Sequence, residues 1–162
     1  MEEGFISRKN KYLFGSTSAI ITELALIVGL SNSVNARSNM IAGILVIAVA
    51  DNISDTLGIH IYQEAEGLTK KEVWLSSCTN FLARFLVSMV FILLVALLPL
   101  KSAIICSIIL GLLIIAIISY DMAAYKQMNP YKTMMNHIVI ALIVILASTF
   151  LSNWIGTRIL HH

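Results

Sequence analysis

Charge is scarce in this chain. Asp, Glu, Lys and Arg make up 12% of its 162 residues, well below the ~25% of an ordinary soluble domain. Hydrophobic residues make up 58%, and the mean hydropathy is +0.86. An ordinary soluble fold is thereby excluded, and an all-α integral membrane protein is expected. The net charge of +2 leaves no basic excess for nucleic acid. Cysteine is almost absent too. Cys78 and Cys106 lie in different segments and form no CxxC, so neither a disulfide framework nor a zinc site is implied. Short repeats, low-complexity tracts and any sizeable soluble domain are all missing. Arg8, Lys9 and Lys11 precede an apolar stretch, as in a signal peptide. No small-residue cleavage site follows and Glu23 interrupts the stretch, so a retained span is expected.

What is present is apolar length. A membrane helix needs about 20 residues, and five stretches qualify: 12–30, 40–61, 81–100, 102–120 and 136–154. Pro99 marks a tight hairpin between the third and fourth. Pro130 lies before the fifth. The polar segment 62–79 reads as a short cytosolic loop. The positive-inside rule orients the set. With the N-terminus inside, Arg8, Lys9, Lys11, Lys70, Lys71, Lys126 and Lys132 fall on the inner side. Arg37, Lys101 and Arg158 fall outside. The expectation is a single domain, 1–162, of five spans with N-terminus in and C-terminus out.

The few charges that remain inside apolar stretches carry the functional reading. Asp51 and Asp55 lie in the second span and Glu23 in the first. An ionised side chain at a span centre costs roughly 2.5–3.5 kcal/mol on insertion scales. Counting residues from opposite ends puts Glu23 level with Asp51, and Ser18 level with Asp55. Three carboxylates are thus expected to converge on one small volume. At 100° per residue, Asp51, Asn52, Asp55, Tyr62, Gln63 and Glu66 share about a third of the helix circumference. Ser18, Asn52, Tyr62 and Glu66 are therefore expected to line a path, or its mouth, toward the carboxylates.

Carboxylate and amide oxygens suit Mn²⁺ and Fe²⁺. Asp51, Asp55 and Glu23 are the candidate ligands or proton carriers. Arg84, about one turn into the third span, is a candidate counter-ion, which leaves a structural bridge to Asp51 or Asp55 as the competing reading. Glu23 as a buried hydrogen-bonding group is a second competing reading. His60 and Glu64, four residues apart on the opposite side, are expected to pair with each other or with solvent. Met122, Met128, Met134 and Met135 cluster near one end of the last two spans, as soft ligands or as plain apolar filler. Gly29, Gly43 and Gly58 are expected at close helix contacts.

Several segments resemble the vacuolar iron transporter family. FGSTSAIITELALIVGLSNS is similar to that family's first span, and AGILVIAVADNISDTLGIHIYQEAE to its second. VALLPL resembles its hairpin, and NPYKTMMNHIVIALIVILASTFLSNWIG its closing span. The resemblance covers nearly the whole chain in order. It implies a homodimer of five-span subunits in the lipid bilayer. It implies export of Fe²⁺ or Mn²⁺ from the cytosol, commonly in exchange for protons, along a path lined by spans one and two. No cofactor is implied beyond the transported metal. The family's early first-span aspartate falls on Ser18, a carboxylate stands nearby at Glu23, and its second-span methionine falls on Asp55. The acidic helical insert of many members is reduced to Glu64, Glu66 and Glu72. The chain's short length and lack of an organelle signal point to a prokaryotic plasma membrane.

Two other classes remain. Asp51-x-x-x-Asp55 resembles half of the metal motif in lipid-headgroup phosphotransferases, but the required upstream D-x-x-D-G-x-x-A-R is missing. An enzyme is therefore not expected. A non-transporting scaffold or partner subunit of the same fold is the alternative.

Overall fold

In the computed structural model, the backbone is described for residues 2–158 and side chains for 16–156. The side chains of Arg8, Lys9, Lys11, Tyr12 and Arg158 lie outside that range. The described residues form helices and turns only: α1 (Glu2–Gly29), α2 (Ala36–Val46), a π-helical turn (Ile47–Asp51), α3 (Asn52–Ala65), α4 (Lys70–Leu97), α5 (Leu100–Tyr125) and α6 (Pro130–Arg158). The α2, π-turn and α3 segments make one 30-residue rod, Ala36–Ala65.

Four helical rods are long and apolar enough to cross a membrane: Ala36–Ala65, Lys70–Leu97, Leu100–Tyr125 and Pro130–Gly156. A shorter apolar stretch, Ser16–Gly29, lies within α1. A rod of 30 residues rises about 45 Å, against a hydrocarbon core of ~30 Å. The helices therefore extend past the apolar stretches that define them. Most of the loop expected over 62–79 is helical for this reason, and only Glu66–Thr69 separates α3 from α4.

The turns are set by local chemistry. Gly67 takes φ +75°, the left-handed region that glycine enters freely. Its N–H bonds to the Glu64 carbonyl and that of Leu68 to the Gln63 carbonyl, closing α3 in a Schellman turn. Thr69 and Glu72 then start α4 with a reciprocal capping box. Gln127, at φ 54°, makes the same kind of turn after α5. Leu98 is extended before Pro99, as a residue preceding proline must be, and the α4–α5 hairpin follows. The α1–α2 connection passes through Asn35 at φ 58°.

α1 is the central helix and packs against α2, α4, α5 and α6. Its Ile20, Leu24, Ile27 and Val28 enter a core with Met40 and Ile44 of α2, Phe91 and Val95 of α4 and Ile115 of α5. α5 meets this core through a stripe of mostly small residues at four-residue spacing: Ala103, Ser107, Gly111, Ile115, Ser119 and Ala123. A Cβ on Gly111 would stand 2.7 Å from Leu24 Cδ1, and one on Gly43 2.7 Å from Leu26 Cδ1. These two glycines permit close helix approach. Gly29 and Gly58, expected to do the same, have nothing within 4 Å of a would-be Cβ. The outer surface is apolar, with Leu86, Leu93, Ile109, Ile117 and Leu146 all more than half exposed. Such a surface suits lipid, not water. Composition, helix length and this outer surface together make the chain an all-α integral membrane protein.

Candidate functional site: an arginine-bridged acidic pair

The site begins with the π-turn. Met40, Ile44, Ala48 and Asn52 are all buried, each four residues after the last. On a straight α-helix a four-residue step advances about 40°, so the fourth member would swing ~120° off the face. The wider π-turn over Ile47–Asp51 cancels part of this drift. Asn52 is thus turned inward, 2% exposed, with Asp51 and Asp55 at the border of the buried face. Asp51 lies midway along the 30-residue rod.

α4 supplies the partner. Ser76, Ser77, Asn80, Arg84 and Ser88 form a buried polar stripe in an otherwise apolar helix. Arg84 is 1% exposed. Its Nη2 lies 2.6 Å from Asp51 Oδ2 and its Nη1 2.7 Å from Asp55 Oδ2. Its Nε donates to Asn52 Oδ1 at 2.5 Å. Asn52 Nδ2 donates to the Ala48 carbonyl at 3.0 Å, which orients the amide with its oxygen toward Arg84. Two carboxylates around one guanidinium leave the cluster a net charge of −1. The carboxylates are not enclosed: Asp51 and Asp55 side chains are 40% and 42% exposed on the flank of the bundle.

Glu23 lies next along the same interior but makes a different contact. It is fully buried. Ser88 Oγ hydrogen-bonds to Glu23 Oε1, and Glu23 Oε2 has no protein partner. Among the described residues no group of three His, Cys, Asp or Glu is arranged to hold a metal ion. Within this region Arg84 takes Asp51 and Asp55, and Ser88, one turn along α4, takes Glu23.

The expected path residues differ in exposure. Asn52 belongs to the arginine cluster and Gln63 is 1% exposed against α4, whereas Tyr62 is 63% exposed. Glu66 is exposed at the C-terminal cap of α3. Tyr62 shares its end of the bundle with exposed Trp74 and Tyr131, as interfacial aromatics do. Ser18 is on another side of α1. It lines a cavity of about 380 Å³ with Thr17, Thr22, Ser119, Met122 and His137. His137 Nδ1 and Ser119 Oγ are 2.7 Å apart there. Depth counting says nothing of which side of a helix a residue faces. His60 stands 3.6 Å from Glu64, 3.1 Å from Ser77 Oγ and edge-on to Trp74.

Sequence reasoning overlooked the serines and Asn80 of α4. Their three- and four-residue spacing beside Arg84 was the available signal. Compared with models of known protein families and with curated proteins, the chain matches none.

Proposed function

We propose that the chain is a cation-translocating membrane protein in which Asp51 and Asp55 bind the cargo and Arg84 holds them when the cargo is absent. One observation carries the reading. Two carboxylates at the middle of an apolar rod are two-fifths exposed on the flank of the bundle. Facing lipid, each would cost several kcal/mol, on the order of 2.5–3.5. A polar cavity or a second protomer on this flank removes that cost. The excess negative charge supplies the attraction for a cation.

The resemblance of the first, second and closing apolar segments to vacuolar iron transporters gives the cargo: a divalent metal of the Fe²⁺ or Mn²⁺ class, leaving the cytosol in exchange for protons. Five spans with the N-terminus inside, a homodimer with the path on the rod carrying the acidic pair, and a prokaryotic plasma membrane complete the proposal. Arg84 has a definite part in it. A fixed guanidinium competes with the metal for the same carboxylates, so cargo release is assisted by re-pairing. Protons compete likewise, because a carboxylate must be ionised to bind metal.

Purified protein in liposomes tests this through Fe²⁺ and Mn²⁺ flux with and without a pH gradient. Flux is expected in the wild type and lost in Asp51→Asn and Asp55→Asn. Equal flux in wild type and both variants rejects the assignment. One second reading has its own support. Both carboxylates already have a partner in Arg84, as a purely structural bridge in a scaffold or partner subunit requires. Metal binding at background with an intact oligomer decides for that alternative.

A further inference from the structure

The polar side chains between α3 and α4 form a ladder. At the end carrying the α3–α4 turn, Gln63 Nε2 donates to Ser76 Oγ at 2.9 Å. One turn deeper, His60 Nδ1 lies 3.1 Å from Ser77 Oγ. Next, Asn80 Nδ2 donates to Thr56 Oγ1 at 3.3 Å. The Arg84 cluster follows, then Ser88 with Glu23. Beyond the first two rungs, whose α4 members Ser76 and Ser77 are adjacent in sequence, successive rungs are about one helical turn apart, ~5 Å, a gap that one bridging water closes.

Three buried acceptors along this seam have no protein partner: Gln63 Oε1, Asn80 Oδ1 and Glu23 Oε2. They occur at its outer end, its middle and its inner end. An apolar seam offers water nothing to hold. This one offers an acceptor and a hydroxyl at nearly every level. Unpaired acceptors in a low-dielectric interior are costly, and water in the seam removes that cost.

Ser88 adds a second, independent observation. It has one hydroxyl proton and two acceptors in reach, the Arg84 carbonyl oxygen at 3.1 Å and Glu23 Oε1. A proton on Glu23 donated to Ser88 Oγ makes both contacts full hydrogen bonds, whereas an ionised Glu23 leaves the single hydroxyl proton shared between two acceptors. The charged groups that act on Glu23 are Arg84 and Asp51. The buried α5 stripe facing α1 carries no charge, and the buried α6 residues Ala141, Ile145 and Ser152 carry none.

We propose that the α3–α4 seam is a proton-access path joining the α3–α4 turn to Glu23, which is its proton-binding terminus. Water fills the seam, with Gln63 and Asn80 holding it through their amide oxygens. A hydronium ion formed at the open end passes its excess proton from water to water, each step making one O–H bond and breaking another. At Glu23 the proton goes to the carboxylate, leaving a neutral acid and a water molecule. The route passes the Arg84 cluster, where Asp51 and Asp55 outweigh the guanidinium charge. The path thus reaches Glu23 along the interior, while a cation at the acidic pair sits on the outer flank. The proposal rests on the translocation reading for its purpose, and its test does not.

Infrared spectroscopy of the protein in lipid makes the test. A protonated carboxyl band is expected at neutral pH, absent in Glu23→Gln and moved in Glu23→Asp. On transfer to D₂O the band is expected to shift within seconds. In Asn80→Leu and Gln63→Met, which keep size and remove the water-holding oxygen, exchange is expected to slow about tenfold or more. A wild-type band that takes hours to shift overturns the path without any variant. So does a spectrum with no carboxyl band assignable to Glu23, or exchange equally fast in both folded seam variants. Fast exchange without metal flux rejects the cargo and leaves the path standing. Flux with a slow or missing band rejects the path alone.

Discussion

Arg84 and Asp51 are 33 residues apart in the chain and 2.6 Å apart in the fold. The two ends of this contact are unequally placed. The arginine is 1% exposed, the aspartate 40%. Asp55 repeats the asymmetry at 42%.

That inequality predicts which partner is worse to lose. Removing both aspartates strands a buried guanidinium, and breaking a buried pair in this way costs about 3–5 kcal/mol. Removing the arginine strands carboxylates that already have an open side, for about 1–3 kcal/mol. Asp51→Leu/Asp55→Leu is therefore expected to destabilise more than Arg84→Met. Unfolding in detergent micelles checks the order. Equal or reversed losses reject the asymmetry.

Arg84→Met has a second expected effect. If Arg84 competes with cargo for the acidic pair, its removal tightens Mn²⁺ binding by about tenfold or more, ~1.4 kcal/mol. Flux falls because nothing re-pairs the carboxylates after release. Calorimetry on the purified variant measures the first effect and liposome flux the second. Unchanged affinity rejects the competition.

Helix approach predicts a contrast between two glycines. Gly111→Val drives methyl groups into Leu24 and Ile20, for about 1–3 kcal/mol of overpacking. Gly58→Ala meets nothing within 4 Å. It raises helix propensity by up to about 1 kcal/mol. Thermal shift measurements should move the two melting temperatures in opposite directions.

The α3–α4 turn predicts a local loss. Thr69→Ala removes a reciprocal cap worth about 0.5–2 kcal/mol. Amide exchange at the first turn of α4 is expected to rise while the α1–α5 contact stays protected. Uniform exchange across α4 in both proteins rejects a capping role.

Much of this was legible beforehand. The apolar stretches foreshadow every long helix, Pro99 the hairpin and His60 with Glu64 their contact. Arg84 was readable as a counter-ion because a lone cation in an apolar span needs a carboxylate. Ser18 lines a separate cavity, while Tyr62 and Glu66 are exposed toward the C-terminal end of α3. Counting depth levels Ser18 with Asp55 but says nothing of which side of α1 it faces. The ladder of α4 was hidden for another reason. Serine and asparagine are common, and their meaning lies in facing Gln63, His60 and Thr56 on another helix.

Composition and apolar length alone made this chain helical and suited to a membrane, since backbone groups in lipid must bond within their own segment. The same residues also required that Asp51, Asp55, Glu23 and Arg84 find partners, because unpaired charge in hydrocarbon is costly. Which partner each found was decided by tertiary structure. The π-turn and the packing of α4 against both α1 and α3 gave the guanidinium to the acidic pair and Glu23 to Ser88.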